Sequence, residues 1–196
     1  MDDVVRYFTF HVYICLIFKH LITLHGIRKN VLMELQELLK LEAIELGLCQ
    51  QWQDEWGNPD VDALCDKFIR GIDFCIKHDF PKVVEINYHF KREDLERNGI
   101  FTQPEVKSVS NGQKHVITMG ESVVDVFVPD YSICDIYIRH NSKVNLHAGA
   151  NSFVYFTILD NGTVTIEEKQ DGARIKCSYH SGTINNKDLV DTIHNK

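Results

Sequence analysis

His140, His147 and His180 are the side chains of this sequence best suited by type to chemistry, because neutral imidazole is a common metal ligand and titrates near neutral pH. They fall among strand-patterned segments, with Asp135 and Glu167 in the outward phase beside them, so ligands from different strands could meet in space. Their spacing matches no zinc site, and a histidine on an exposed strand ordinarily faces water. Cys134 with His140 would make a nucleophile and base only in electropositive, partly exposed surroundings, which nothing in the sequence supplies. The chain has no P-loop, G-x-G-x-x-G, H-E-x-x-H or G-x-S-x-G. Met119-Gly120-Glu121 and Ala148-Gly149-Ala150 are turns, not phosphate cradles. No catalytic residue, metal ligand or cofactor is assigned, and the metal-dependent enzyme using the β-unit histidines stays as an alternative reading.

The six cysteines form no C-x-x-C. Cys65 and Cys75 lie on an apolar helix face and Cys177 alternates with Ile175, so these three read as core thiols. A reducing, cytoplasmic setting is expected.

The formal charge is −7 over 196 residues, and it is uneven. Residues 31–100 carry eight Lys/Arg against fifteen Asp/Glu, while the segments on either side are close to balance. That acidity disfavours direct nucleic-acid binding, which rests on Lys/Arg displacing counterions. It suits a solubilising surface, and it permits a basic protein partner, including one whose nucleic-acid groove an acidic helix could occupy.

The elements that would position these groups come in two kinds. Val61, Leu64, Cys65, Phe68, Ile72, Cys75 and Ile76 make one face of a 3.6-residue period over Asp60–Pro81, with Asn58 as N-cap, Pro59 at the first helical position and Gly71 mid-helix. Met33–Leu46 is a second helix, with Leu35, Leu38, Leu39 and Leu46 on one face and Gly47 ending it. A third starts at Pro81, with Val83, Val84, Ile86 and Phe90 on its apolar side, and Asn98-Gly99 stops it. Trp52 and Trp56, four apart, share a face if their segment is helical; they either close the core or form an aromatic binding pair. Residues 4–24 are apolar but carry Arg6, His11, Lys19 and His20, which disfavours a membrane span. They are an extension upstream of a start at Met33, an integrated piece of the fold, or a membrane-associated segment.

Pro104 and Asn111-Gly112 mark the transition, and from His115 the period falls to two. Val144, Val154, Val164 and Ile175 are spaced 10, 10 and 11 residues apart, each with an apolar residue two further on. Such a repeat is a short β-solenoid or an antiparallel meander, and the solenoid is preferred. The even step resembles the short right-handed solenoids of bactofilin-like and adhesin-like modules over about residues 130–184. The helix-plus-solenoid build also resembles small accessory proteins of phages and mobile elements, some of which block host defence factors such as RNA-guided nucleases.

The expected fold is therefore α+β: an apolar N-terminal extension (1–32), a helical unit of about three helices (33–99), a repetitive β-unit (115–184) and a polar tail (185–196). The expected function is a non-enzymatic protein-binding module, possessing a host-defence inhibitor role in its most specific form; a self-assembling structural solenoid is the alternative. The expected contact residues are Trp52, Trp56, Tyr137, Arg139, His147 and Tyr155, the last four on the outward side of the β-unit.

Overall fold

A computed structural model of the chain describes the backbone of residues 24–110 and 112–196. The membrane and upstream-extension readings of residues 4–24, and Asn111 of the expected turn, lie almost entirely outside that range. The chain divides into two compact units between Leu64 and Cys65, within a helix.

The first unit contains α1 (Leu24–Glu45), α2 (Gln50–Asp54) and the start of α3 (Val61–Arg70). Helix α1 runs through Met33 rather than beginning there. Leu35, Leu39 and Ala43 are its buried stripe at a four-residue spacing, while Leu38, expected on the apolar face, is exposed, as is Leu41. Gly47, at φ 93°, turns the chain out of the helix as expected, its N–H donating to Ile44 O. Asp60, not Asn58, caps α3: its Oδ1 accepts the Ala63 N–H at 2.9 Å.

The second unit holds the rest of α3, then α4 (Ile72–His78), α5 (Val83–His89) and α6 (Arg92–Arg97). The three helices expected are thus six among the described residues. Gly71 splits the long predicted helix in two, Lys82 rather than Pro81 precedes α5, and extended Phe90 separates α5 from α6. Each short helix contributes one or two buried residues: Ile72 and Cys75, Ile86, and Leu95.

Eleven strands follow, and every pairing between them is parallel. They are β1 (Ile100–Phe101), β2 (Val106–Val109), β3 (His115–Thr118), β4 (Val123–Val128), β5 (Ile133–Ile138), β6 (Lys143–Ala148), β7 (Phe153–Ile158), β8 (Thr163–Lys169), β9 (Arg174–Tyr179), β10 (Thr183–Asn185) and β11 (Thr192–Asn195). Odd-numbered strands form one sheet and even-numbered strands the other. The chain is a two-sheeted β-solenoid, and the meander is excluded because consecutive strands are never hydrogen-bonded neighbours. It runs beyond the expected 115–184: β1 and β2 precede it, and the expected polar tail supplies a 3-10 turn (Lys187–Leu189) and β11.

The ten-residue step is half a coil. Val124, Val144, Val164 and Ile184 stack in register at twenty-residue intervals, and Cys134 stacks on Val154 in the other sheet. The step of 11 has a local cause. Leu146 pairs with Ile166 but His147 pairs with Glu168, so Glu167 is an extra residue in β8. Inward side chains from both sheets fill the space between them, including fully buried Val144, Leu146, Val154, Phe156, Ile166 and Ile175. Each such side chain contributes roughly 1.5–3 kcal/mol of burial free energy, which is why the x-h-x-h pattern dictates this fold.

Candidate protein-binding surface

The coils turn at two corners. At the second corner, residues 119–122, 139–142 and 159–162, left-handed backbone recurs at Gly120, His140 and Asp160. At the first corner, residues 129–132, 149–152 and 170–173, it recurs at Tyr131, Asn151 and Gly172. Side chains lock the corners coil to coil: the Ala150 N–H donates to Asp130 Oδ1 at 2.8 Å and the His140 N–H donates to Asp160 Oδ2 at 2.9 Å.

The α4–α5 junction covers the second corner. Asp79 Oδ1 accepts from Arg139 Nη2 at 3.2 Å and lies 3.3 Å from His140 Nε2, while Asp79 Oδ2 accepts from Lys82 Nζ at 2.6 Å. The Gly120 N–H donates to His140 Nδ1 at 3.1 Å. The His140 lone pair is therefore occupied, its proton sits on Nε2, and the ring is a fastener rather than a base or metal ligand. Arg139, expected to project outward as a binding hot spot, is 4% exposed. Alternation points it outward, but β5 ends at Ile138 and the corner carries Arg139 beneath Asp79.

The other expected site residues scatter. Tyr137 and Tyr155 lie on the outer face of the odd-numbered sheet, His147 on the outer face of the even-numbered one, so they do not share a surface. Tyr137 is half-buried; burial, then the Asp135 and Asp73 charges, raise its phenol pKa. His147 stacks on Phe127 with ring centroids 4.3 Å apart and has Glu168 at 3.8 Å. In the first unit Trp52 lies on α2 and is half-buried, whereas Trp56 lies beyond that helix and is buried, so the shared face does not form. His140 and His180 belong to the second corner and His147 to the opposite side of the coil, and among the described residues no three His, Cys, Asp or Glu side chains gather to hold a metal. Cys134 points inward, and burial, then the Asp135 charge, push its thiol up to about 12, so it forms no pair with His140. Cys75 and Cys177 are buried and their thiols also pushed up to about 12 by desolvation; Cys65 is buried as well.

Among the described residues of the second unit, the first corner presents exposed apolar side chains where the second is covered. Phe127 is the last but one residue of β4 on the even-numbered sheet, Tyr131 sits on the turn, and Ile133 begins β5 on the odd-numbered sheet. They are 41%, 80% and 63% exposed. Register repeats the arrangement in the next coil, with His147 beside Phe127 on the outer face of the even-numbered sheet and Phe153 beside Ile133 on that of the odd-numbered sheet; Lys176 lies over the Phe153 ring at 5.6 Å. Tyr155 adjoins Phe153 on the same face, two residues along β7. The signal was in the sequence: Ile133 and Phe153 fall in the phase opposite to inward Cys134 and Val154.

Tyr131 is the outlier of the corner. Its φ is 57°, a conformation that a side chain on L backbone adopts at a cost of roughly 1–2 kcal/mol and that Gly, Asn and Asp tolerate best. The equivalent positions in the next coils are Asn151 and Gly172, as that preference requires. An aromatic residue held there, and left in solvent, is strain without a folding benefit in sight.

Comparison of the chain with protein-family models, with curated proteins and with solved structures gave no match.

Proposed function

We propose that the protein is a non-enzymatic protein-binding module that engages its partner through the first corner of the solenoid. The observation that carries this reading is Tyr131: exposed, and in left-handed backbone where the neighbouring coils place Asn151 and Gly172. Strain of this kind concentrates at functional positions. Phe127 and Ile133 flank the turn as further exposed apolar side chains, one on each outer face, and exposed apolar side chains on a rigid support are what protein partners bury. Tyrosine is also among the residues that dominate interface energies. In its most specific form, supported by the acidity of residues 31–100, the partner is a basic nucleic-acid-binding protein. An RNA-guided nuclease inhibited by a phage or mobile-element accessory protein is one such pair.

The test is affinity capture from lysate of the native host with the full chain, run beside Tyr131→Ser/Ile133→Ser. Val106→Ser serves as the control, since Val106 is exposed on another strand start. A stoichiometric partner captured by the parent and the control, but lost by the double variant, supports the corner. A partner captured equally by all three overturns it. If the partner is a nuclease, stoichiometric inhibition of its cleavage is the expected readout.

A further inference from the structure

Arg139 and Asp79 fit each other only in part. Nε and Nη2 lie on one edge of the planar guanidinium, the edge that grips a carboxylate with two parallel hydrogen bonds. Asp79 fills half of it. Its Oδ1 accepts from Arg139 Nη2, its Oδ2 is turned to Lys82, and the buried Nε of Arg139 has no hydrogen-bond partner among the described residues. His140 adds a second donor. The Gly120 N–H occupies its Nδ1 and leaves the proton on Nε2, 3.3 Å from the same Asp79 oxygen. A carboxylate not shared with Lys82 would take Nε and Nη2 together and still accept from His140.

The segment that brings Asp79 here, residues 72–89, is lightly attached. Among the described residues it sends no backbone hydrogen bond to a strand. Its side-chain hydrogen bonds to the solenoid are those of Asp79 and of Asn87, which accepts from the Thr102 hydroxyl beside β1. Ile72, Cys75, Phe80 and Ile86 are its buried side chains, while Val84 and Tyr88 are exposed. A segment so held opens locally at a smaller cost than the strands beneath it. What lies beneath is polar: Arg139 is buried, and Tyr137, which feels the Asp73 charge of α4 after burial and the Asp135 charge, is half-buried. Thr157 and Ser178, in register with Tyr137 in the outward phase, are buried as well.

We infer that Arg139 and His140 form a latent carboxylate site, that Asp79 is its internal occupant, and that residues 72–89 are a strap displaced by an Asp or Glu side chain of an acidic peptide. The exchange pairs the buried Nε, whose unmet hydrogen bond is a standing cost of the strapped state. Asp79 competes as a tethered group at high effective concentration, so a lone carboxylate binds the parent weakly and a variant without Asp79 more tightly. The site is separate from the first corner and rests on none of its residues.

The test follows the Arg139 Nε–H resonance and hydrogen exchange in the full chain. In Asp79→Gly, which suits the left-handed backbone at φ 48°, acetate should shift that resonance saturably where chloride at equal ionic strength does not. The parent should respond at least tenfold more weakly. Exchange across residues 72–89 should rise at least tenfold in Asp79→Gly while β5 to β8 keep their protection. Asp79→Asn, which keeps the shape of the side chain and its backbone preference, should give the same rise in smaller measure, and so separates the lost charge from the flexibility of glycine. An oligoglutamate peptide should speed exchange across 72–89 in the parent beyond the effect of chloride. Acetate indistinguishable from chloride in Asp79→Gly, a rise in exchange shared equally by β5 to β8, or no effect of oligoglutamate on the parent would each overturn the inference.

Discussion

Asp79 Oδ1 lies 3.3 Å from His140 Nε2, across 61 residues of sequence, and the same oxygen accepts a hydrogen bond from Arg139. The contact seats the α4–α5 junction on the second corner of the solenoid and covers Arg139 there.

The fastening depends on Asp79 being ionised. Burial alone would raise its pKa, but hydrogen bonds from Lys82 and His140 and the charges of Lys82 and Arg139 outweigh it and hold the carboxyl below its usual 3.8. A carboxylate with a depressed folded pKa stabilises fully above the unfolded value and loses that contribution as pH falls through the folded one. Urea midpoints should therefore drop for the parent below about pH 4, and Asp79→Asn should flatten that limb. Parallel limbs for parent and variant would count against the fastening.

Relief of strain at Tyr131 should be visible without any partner. Asn accepts left-handed backbone more readily than an aromatic residue does, so Tyr131→Asn should stabilise the fold by about 0.5–1 kcal/mol in chemical denaturation. Asn151→Tyr, the reverse exchange one coil on, should cost a similar amount. Destabilisation by Tyr131→Asn would show that the ring supports the fold instead.

The layered core sets the largest mutational effects. Phe156 is fully buried between the sheets, and Phe156→Ala should cost about 3–5 kcal/mol through lost burial and the cavity left behind. Ile133→Ala, on the exposed corner, should fall within about 0.5 kcal/mol of the parent. Equal losses at the two sites, by the same denaturation measurement, would contradict the assigned inward and outward phases.

Deletions test the coil period. Glu167 is the extra residue of β8, so removing it restores a twenty-residue coil and should leave a cooperatively folded protein. Removing Leu146 has no bulge to absorb it; the rest of β6 slips by one residue and its inward and outward side chains exchange faces. Circular dichroism should show cooperative melting for the first deletion and its loss for the second. Equal tolerance of both would contradict a fixed register.

Much of the β-unit was legible because its cause is local. Inward Val, Leu, Ile and Phe recur every second residue from Val124 to Cys177, and six strands follow from that alternation alone. What alternation cannot show is which sheet a strand joins. Tyr155 and His147 sit on adjacent strands of the chain and on opposite faces of the molecule, so a single outward surface could not be read from phase. Arg139 was misplaced because strand parity fails at a corner. Strand β11 was missed because it is short and polar; its approach is set by Asp191, whose Oδ2 accepts the Ile175 N–H at 2.7 Å and whose Oδ1 pairs with Lys169. The bare corner was within reach, since Ile133 and Phe153 are apolar in the outward phase. The strain at Tyr131 was not, because backbone handedness at a turn depends on the coil geometry around it.

The most direct measurement is the affinity of the captured partner for the parent chain and for Tyr131→Asn, with the stability of both chains determined in parallel. The account predicts opposite signs: a more stable fold and binding weakened by roughly thirtyfold or more, the loss of a hot-spot side chain. Unchanged binding by the stabilised variant would contradict it, because the exposed tyrosine would then be strained for no partner.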